Sequence, residues 1–295
     1  MVQSIGSKIF SKPVEDIVKQ RFSCRNYIDN PIVEGTRQLF VDYLSSIGDG
    51  PFGTRARFEL AAASEQDRRA LKGLGTYGFI RGATGFIIGA IQRDENNLED
   101  FGFLLEQIIL MATDMGLGTC WLGGSFTKSS FARKISASES ELVPAVVSVG
   151  YCAKKPRRIE SLFRSGGGTD RRLPWEQLFF EGKYGAPLGE DSAGDYVRPL
   201  EMVRLAPSAS NRQPWRILKE GNRWHFYLQR TPGYRERRLV KLFTVADLQR
   251  IDMGIALSHF ELMVRDLDLD GYWEVGEPDV EIPNEDTEYT ISWVT

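Results

Sequence analysis

Two hydrophobic rhythms alternate along this chain. Apolar residues recurring every three or four positions predict helices, and short β-branched runs bounded by glycine predict buried strands. Val14, Ile17, Val18 and Phe22 predict a helix over 14–22, and a second spans 36–47, closed by Gly48. A short strand is expected at 57–64, a helix at 64–75 with Ser64 as N-cap and Gly73 near its end, and a buried strand at 85–91. Residues 98–118 are apolar nearly all round, which predicts a central, well-buried helix. A further buried strand covers 145–151. "RSGGGTDRR" (164–172) is glycine-rich and polar and reads as a linker. After it come a helix at 197–206, a hairpin turning at Gly221-Asn222, a long helix at 244–269 and a closing strand at 288–294.

The two long helices compare directly. "DFGFLLEQIILMATDMGLGTCW" begins at Asp100 and "DMGIALSHFELMVRDLDLDGYW" at Asp252, 152 positions on, and the match runs without gaps. Asp100/Asp252, Gly102/Gly254, Leu110/Leu262, Met111/Met263, Asp114/Asp266, Leu117/Leu269 and Trp121/Trp273 are identical. Apolarity alone would not reproduce the Asp, Gly and Trp matches. The expectation is an internal duplication: a first half over 1–163, the linker 164–172, and a second half over 173–295, the two packing as a pseudo-twofold dimer around one shared core.

Composition narrows the class. At 295 residues, with 42% hydrophobic and 26% charged positions, the chain is an ordinary globular one. A net charge of −3 argues against a dedicated nucleic-acid or anionic-membrane binder. Cys24, Cys120 and Cys152 form neither a disulfide framework nor a CxxC site, and His225 and His259 are too few for a histidine-rich metal centre, so no metal is expected. No run approaches a membrane span and the N-terminus lacks a signal-peptide core. A reducing compartment, most simply the cytoplasm, is expected.

Four segments carry candidate chemistry. In "RFSCRNY" (21–27), Arg21, Ser23 and Arg25 alternate and can converge on one anion; an exposed basic helix end explains them too. In "GLGTCWLGG" (116–124), a glycine C-cap accounts for Gly116 or Gly118 but not for the Gly123-Gly124 pair, which lets backbone approach a flat ligand. "YCAKKPRRIE" (151–160) sets Lys154, Lys155, Arg157 and Arg158 behind a buried strand, as a second phosphate contact or an exposed basic turn. "APSASNRQPW" (206–215) offers hydroxyls and amides between two prolines, groups able to read the edge of a heterocycle. Cys120, flanked by Thr119 and Trp121, reads as a buried, inert thiol, and His259 as a packed histidine. "GLGTYG" (73–78) lacks the spacing of a dinucleotide fingerprint or a P-loop.

Three strings together, "RFSCRNY", "APSASNRQPWR" and "GLGTCWLGGSF", resemble the nitroreductase family of FMN-dependent oxidoreductases. In ordinary members the PS-x-x-N string precedes the glycine string, and the two strings touching one flavin come from different subunits of a homodimer. Here the PS-x-x-N string comes last, which resembles the tandem, single-chain TM nitroreductase branch. The resemblance implies an α+β nitroreductase-like fold with two related halves forming a pseudo-dimer in one chain. It implies that Arg21, Ser23 and Arg25 contact the FMN phosphate and ribityl chain, and that Lys155, Arg157 or Arg158 adds a phosphate contact. Pro207, Ser208, Ala209 and Asn211 would lie along the flavin; Trp121 and Leu122 would sit beside the ring; and Gly123, followed by Gly124, would offer a backbone N–H to flavin N5.

Departures from the pattern are informative. The second half reads "RRLPWEQLFF" (171–180) where the arginine string would recur and "DLDGYWEVG" (268–276) in place of the glycine string. The first half reads "SSIGDGPFG" (45–53) where PS-x-x-N would fall. One intact FMN site per chain is therefore expected, with a degenerate second one. The activity implied is hydride transfer from NADH or NADPH to FMN and on to a small-molecule electron acceptor, a nitroaromatic or quinone, in ping-pong order and with no catalytic side chain. The chain is expected to act as a monomer. A flavin-binding sensor or carrier, and a non-flavin structural protein with decayed motifs, are the alternatives.

Overall fold

The computed structural model describes residues 9–64, 68–124, 126–153, 171–233 and 246–295. In chain order its helices are α1 (Val14–Gln20), α2 (Glu34–Ser46), α3 (Asn97–Asp114), α4 (Lys128–Lys134), α5 (Glu190–Ala193), α6 (Val197–Leu205) and α7 (Leu248–Asp266). The strands are β1 (Ala56–Ala62), β2 (Gly85–Gln92), β3 (Gly118–Leu122), β4 (Glu141–Leu142), β5 (Val146–Gly150), β6 (Phe179–Glu181), β7 (Trp215–Glu220), β8 (Arg223–Gln229), β9 (Tyr272–Glu274) and β10 (Thr287–Val294).

The strands form two sheets of five with one plan. The first runs β1-β2-β5-β3, with β4 beside β2; the second runs β6-β7-β8-β10-β9. Within β1-β2-β5-β3 and within β7-β8-β10-β9 every neighbour is antiparallel. Each half thus reads hairpin, long helix, edge strand, central strand. The connection inside the hairpin differs: β1 reaches β2 through residues 63–84, whereas β7 turns into β8 at Gly221-Asn222.

The helices α3 and α7 pack against each other at the centre, and glycine decides how closely. A Cβ on Gly102 would fall on the Ile251 carbonyl, and one on Gly254 on the Glu99 carbonyl. Gly102 and Gly254 are offset partners, and so are Glu99 and Ile251, so the two contacts are reciprocal. Both helices also end alike. Gly116 takes a left-handed φ of 79° and Leu117 N–H returns to the Ala112 carbonyl at 2.8 Å. Its offset partner Asp268 does the same with φ 54°, Leu269 N–H reaching Val264 at 3.0 Å.

A single hydrophobic core joins α3 and α7 to the inner faces of both sheets, from Ile17 and Phe40 in the first half to Trp215 and Trp293 in the second. The first sheet buries its other face as well, under a cluster including Cys24, Tyr27, Phe86, Phe126 and Phe131. That explains the continuous apolar run of β2, which has to be hydrophobic on both sides.

The helix expected over 64–75 is corrected. The described part holds only a 3₁₀ turn, Arg68–Leu71. Leu71 and Leu74 alone make no apolar stripe, and Gly73, at φ 84°, ends the turn. The strand β3 occupies the end of what the sequence presents as a glycine-rich helix exit. Residues 164–170 of the expected linker lie outside the described residues.

Candidate functional site

Segment 21–28 leaves α1 extended and is clamped between two elements. Cys24 N–H donates to the Thr119 carbonyl of β3 at 2.8 Å, and Tyr27 N–H to the Arg81 carbonyl at 2.9 Å. Arg81 N–H returns to the Arg25 carbonyl at 3.1 Å, so residues 25 and 81 are neighbours. Cys24 and Tyr27 point into the core, which leaves Ser23 and Arg25 free to line the opposite side.

That side is a cavity of about 570 Å³. Ser23, Arg25 and Arg81 supply its polar wall, together with the loop Tyr77–Ile80. Cys120, Trp121, Leu122 and Gly123 form another wall. The second half closes it with Pro207–Ser210 and with Leu248, Ile251, Asp252 and Ile255 of α7. Its volume lies in the range of small-molecule and cofactor pockets. The three quoted strings, spread over more than half the chain, meet at this one place.

At Gly123 the halves touch beside the cavity. A Cβ there would come within 2.6 Å of Leu248 Cδ2, so glycine permits the approach of α7. The loop from Pro207 onward holds an unusual backbone: Ser210, Asn211 and Gln213 all have φ between 50° and 54°. Left-handed conformations of this kind persist where the surroundings enforce them. Here Ala209 N–H donates to Asp252 Oδ1 at 2.9 Å and Gln213 N–H to Ser208 Oγ at 2.8 Å. The Gln213 and Asn211 side chains grip the start of the second half: Leu173 N–H donates to Gln213 Oε1 at 2.8 Å, Arg172 to Asn211 Oδ1 at 2.6 Å, and Asn211 Nδ2 to the Arg171 carbonyl at 2.8 Å.

Trp121 is steered from behind. Its Nε1–H donates to Glu106 Oε2 at 2.8 Å, and Glu106 Oε1 lies 3.0 Å from His259 Nε2 and 4.0 Å from Arg21 Nε. His259 Nδ1 faces the Met202 carbonyl at 3.0 Å. Glu106 and His259 are fully buried, so this network ties a cavity wall to both halves.

The structure brings together Ser23, Arg25, Trp121, Leu122, Gly123, Pro207, Ser208 and Ala209 around the cavity. It does not place Arg21, Gly124 or Asn211 in the lining; Arg21 packs beside Glu106, and Asn211 faces Arg171 and Arg172. Lys155, Arg157 and Arg158 lie outside the described residues. Sequence reasoning missed Asp252, Leu248, Ile251, Ile255 and the 77–81 segment. Asp252 carries a signal, its identity with Asp100; "GLGTYG" lacks the spacing of a nucleotide fingerprint, yet its Tyr77 and Gly78 line the cavity.

Burial pushes the Asp252 carboxyl well above the usual carboxylate range, with Asp247 adding to the effect and the Ala209 N–H opposing it. Among the described residues no group of histidine, cysteine and acidic side chains could hold a metal ion, and no helix is long and apolar enough to cross a membrane.

Comparison with known proteins gives a consistent picture. The sequence matches the model of the family described as "Putative TM nitroreductase" over residues 14–264. Among solved structures, a "putative nitroreductase" from Thermotoga maritima is 18% identical, with a TM-score of 0.59 over 100% of this chain and 99% of that one. An oxidoreductase containing FMN is 16% identical, with a TM-score of 0.47 over 63% of this chain and 100% of its own. A nitroreductase family protein from Clostridium difficile is 19% identical, with a TM-score of 0.41 over 55% and 92%. The full-length likeness to the Thermotoga protein is one of fold. No protein with a curated description matches the sequence.

Proposed function

The chain belongs to the "Putative TM nitroreductase" family, and from that premise we propose that it is an FMN-dependent oxidoreductase passing electrons from NADH or NADPH to a small acceptor of nitroaromatic or quinone type. The observation that carries the reading is the convergence of Ser23 and Arg25, Trp121–Gly123 and Pro207–Ala209 on one cavity built by both halves.

The residues present fit FMN. Two adjacent cationic residues, Arg25 and Arg81, with the Ser23 hydroxyl suit a phosphate, which guanidinium forks bind through charge-assisted hydrogen bonds. Leu122, Leu248, Ile251 and Ile255, with Trp121, give the apolar walls that a flat ring needs. Gly123 keeps its backbone uncovered by any side chain of its own, as a donor to the ring nitrogen N5 requires.

When bound, FMN would supply the hydride chemistry, accepting and releasing two electrons. The protein's share is binding and orientation. Ser23, Arg25 and Arg81 would hold the phosphate; Pro207–Ala209 and Trp121 would fix the plane of the ring; the Glu106 contact would keep Trp121 in place. No side chain is assigned as acid or base. Tyr77 and Phe79 belong to the lining yet are 71% and 56% exposed, so they form its solvent-facing part, where a second reactant would enter after the first has left. The reading includes a chain that works as a monomer, supported by both halves lining one cavity, and a reducing, cytoplasmic setting, supported by cysteines too few and too scattered in sequence for a disulfide framework.

The test is direct. Purified protein should take up FMN, show flavin absorbance, and bleach anaerobically with NADH or NADPH, recovering when a quinone or nitroaromatic is added. A protein that stays colourless and takes up no FMN overturns the flavin reading. One that binds FMN but is bleached by neither nucleotide overturns the reductase reading in favour of a flavin carrier or sensor.

A further inference from the structure

Asp100 and Asp252 occupy the same place on the paired helices, and each faces the loop that enters the first strand of its own hairpin. Asp100 spends both oxygens there: Oδ1 accepts from Phe52 N–H at 2.9 Å and Oδ2 from Thr54 N–H at 2.7 Å. Asp252 spends one. Its Oδ1 accepts from Ala209 N–H at 2.9 Å, while Oδ2 is buried with no hydrogen-bond partner among the described residues. Asp252 is only 2% exposed, and it lines the cavity. A buried polar oxygen left unmatched is costly, and in a native structure it points to a partner that completes it.

We propose that Asp252 is a binding residue of the cavity and donates a hydrogen bond through an Oδ2 hydroxyl to an acceptor of the bound molecule, which on the flavin reading, on which this rests, is a ring oxygen or nitrogen of FMN. Donation follows from the surroundings. Oδ1 is already an acceptor, so a proton on the carboxyl sits on Oδ2. Among the described residues no cation is hydrogen-bonded to Asp252. On its own helix Asp247 is paired with Arg230, and Arg250 with Glu99 of α3. Asp100 on α3 faces its own loop, and Arg25, Arg81, Tyr77 and Cys120 belong to the other walls. Burial therefore favours the neutral acid, as the upward shift of its pKa indicates.

The sign of the pH effect is fixed by that shift. The donor form is present below the raised pKa and is lost as pH rises through it, so FMN should bind more weakly at high pH. The FMN phosphate also titrates, at about pH 6, so the readout is the difference between wild type and Asp252→Asn. Asparagine keeps the acceptor for Ala209 and a donor toward the cavity at every pH.

The experiment measures FMN dissociation constants by flavin fluorescence, from about pH 5 to about pH 9, with thermal melts to verify folding. Asp252→Asn should match wild type within about twofold at low pH, and wild type should fall behind it by about tenfold at high pH. Infrared difference spectra on FMN binding should show a protonated-carboxyl band that shifts in wild type and is missing from Asp252→Asn. Superimposable pH profiles together with a carboxyl band that FMN does not shift overturn the assignment, because they mean the oxygen does not touch the ligand. Weakening of Asp252→Asn at low pH overturns it too, because the oxygen would then be accepting a proton from the ligand. Wild-type protein that binds no FMN at any pH overturns the flavin reading, and this assignment with it.

Discussion

The two halves of this chain share a strand order, a helix crossing and a C-terminal helix turn, yet they contribute opposite sides of one cavity. The first half gives the polar wall of Ser23 and Arg25, the 77–81 segment and the Trp121–Gly123 strand end; the second gives the Pro207–Ser210 loop and one face of α7. Elsewhere the corresponding parts serve packing. Trp121 borders the cavity, whereas its partner Trp273 is wedged among Phe226, Phe260 and Trp293. The 63–84 excursion that brings Tyr77–Arg81 to the cavity has only Gly221-Asn222 as its counterpart. A repeated framework thus fixes where a site can form, and the connections that differ between repeats decide which copy of each part serves it.

The comparison can be broken at its strongest point, the reciprocal glycine contact. Gly254→Val would drive side-chain atoms into the Glu99 carbonyl and the Phe103 N–H of α3, backbone that cannot move aside. We expect a loss of about 4 kcal/mol or failure to fold. Gly276→Ala, in open space, should melt with wild type. Equal melting of Gly254→Val and wild type would mean the helices do not cross there.

The division of labour is tested next. Arg25→Ala should weaken FMN binding by roughly 10- to 100-fold, the loss of a charge-assisted contact. Arg223→Ala, a basic residue on the second sheet away from the cavity lining, should change it less than about twofold. Similar losses for the two would mean that net positive charge, and not the position of Arg25 in the cavity wall, sets the affinity.

The smallest effect separates the two sheet edges. Arg57 of β1 bonds Glu141 of β4 at 2.7 and 2.9 Å, and that pairing first, with the Ser138 N–H, lowers the Glu141 pKa to about 2. A lowered carboxylate pKa stabilises the fold above its unfolded value near 4.5, and the benefit is lost as pH falls toward about 2. Arg57 is 42% exposed, so solvent screening reduces the contribution to about 0.5–1 kcal/mol at neutral pH. Glu141→Gln should show that loss in urea melts at pH 7 and none near pH 2. Glu274→Gln, which breaks the more open Arg223–Glu274 pair, should cost no more.

Much of this was legible in the sequence, for physical reasons. Long elements with a full apolar period, such as 98–118 and 244–269, declare themselves because burial requires the pattern. The short strands β3, β6 and β9 do not, since three to five residues carry no period and their pairing partners are distant in sequence. The strings around Arg25, Gly123 and Ser208 could be found because their residue types are unusual together. Leu248, Ile251 and Ile255 could not, because a helix residue facing a cavity has the same composition as one facing a core. The amides of Asn211 and Gln213 look like ligand readers in the sequence, yet they hold the 171–173 backbone. Chemistry alone does not say toward which neighbour a polar group will turn.

The buried contact between Glu106 and His259 bears on how faithfully these helices choose each other. By the 152-residue offset, the counterpart of His259 is Gln107 and the counterpart of Glu106 is Ser258. A first half associating with another first half would set Glu106 against an amide, and two second halves would set His259 against a hydroxyl. Only the mixed pairing joins the acid to the imidazole, inside a fully buried interface where a mismatch is expensive. The contact therefore works as a lock on composition, favouring the pairing of unlike halves over that of like halves.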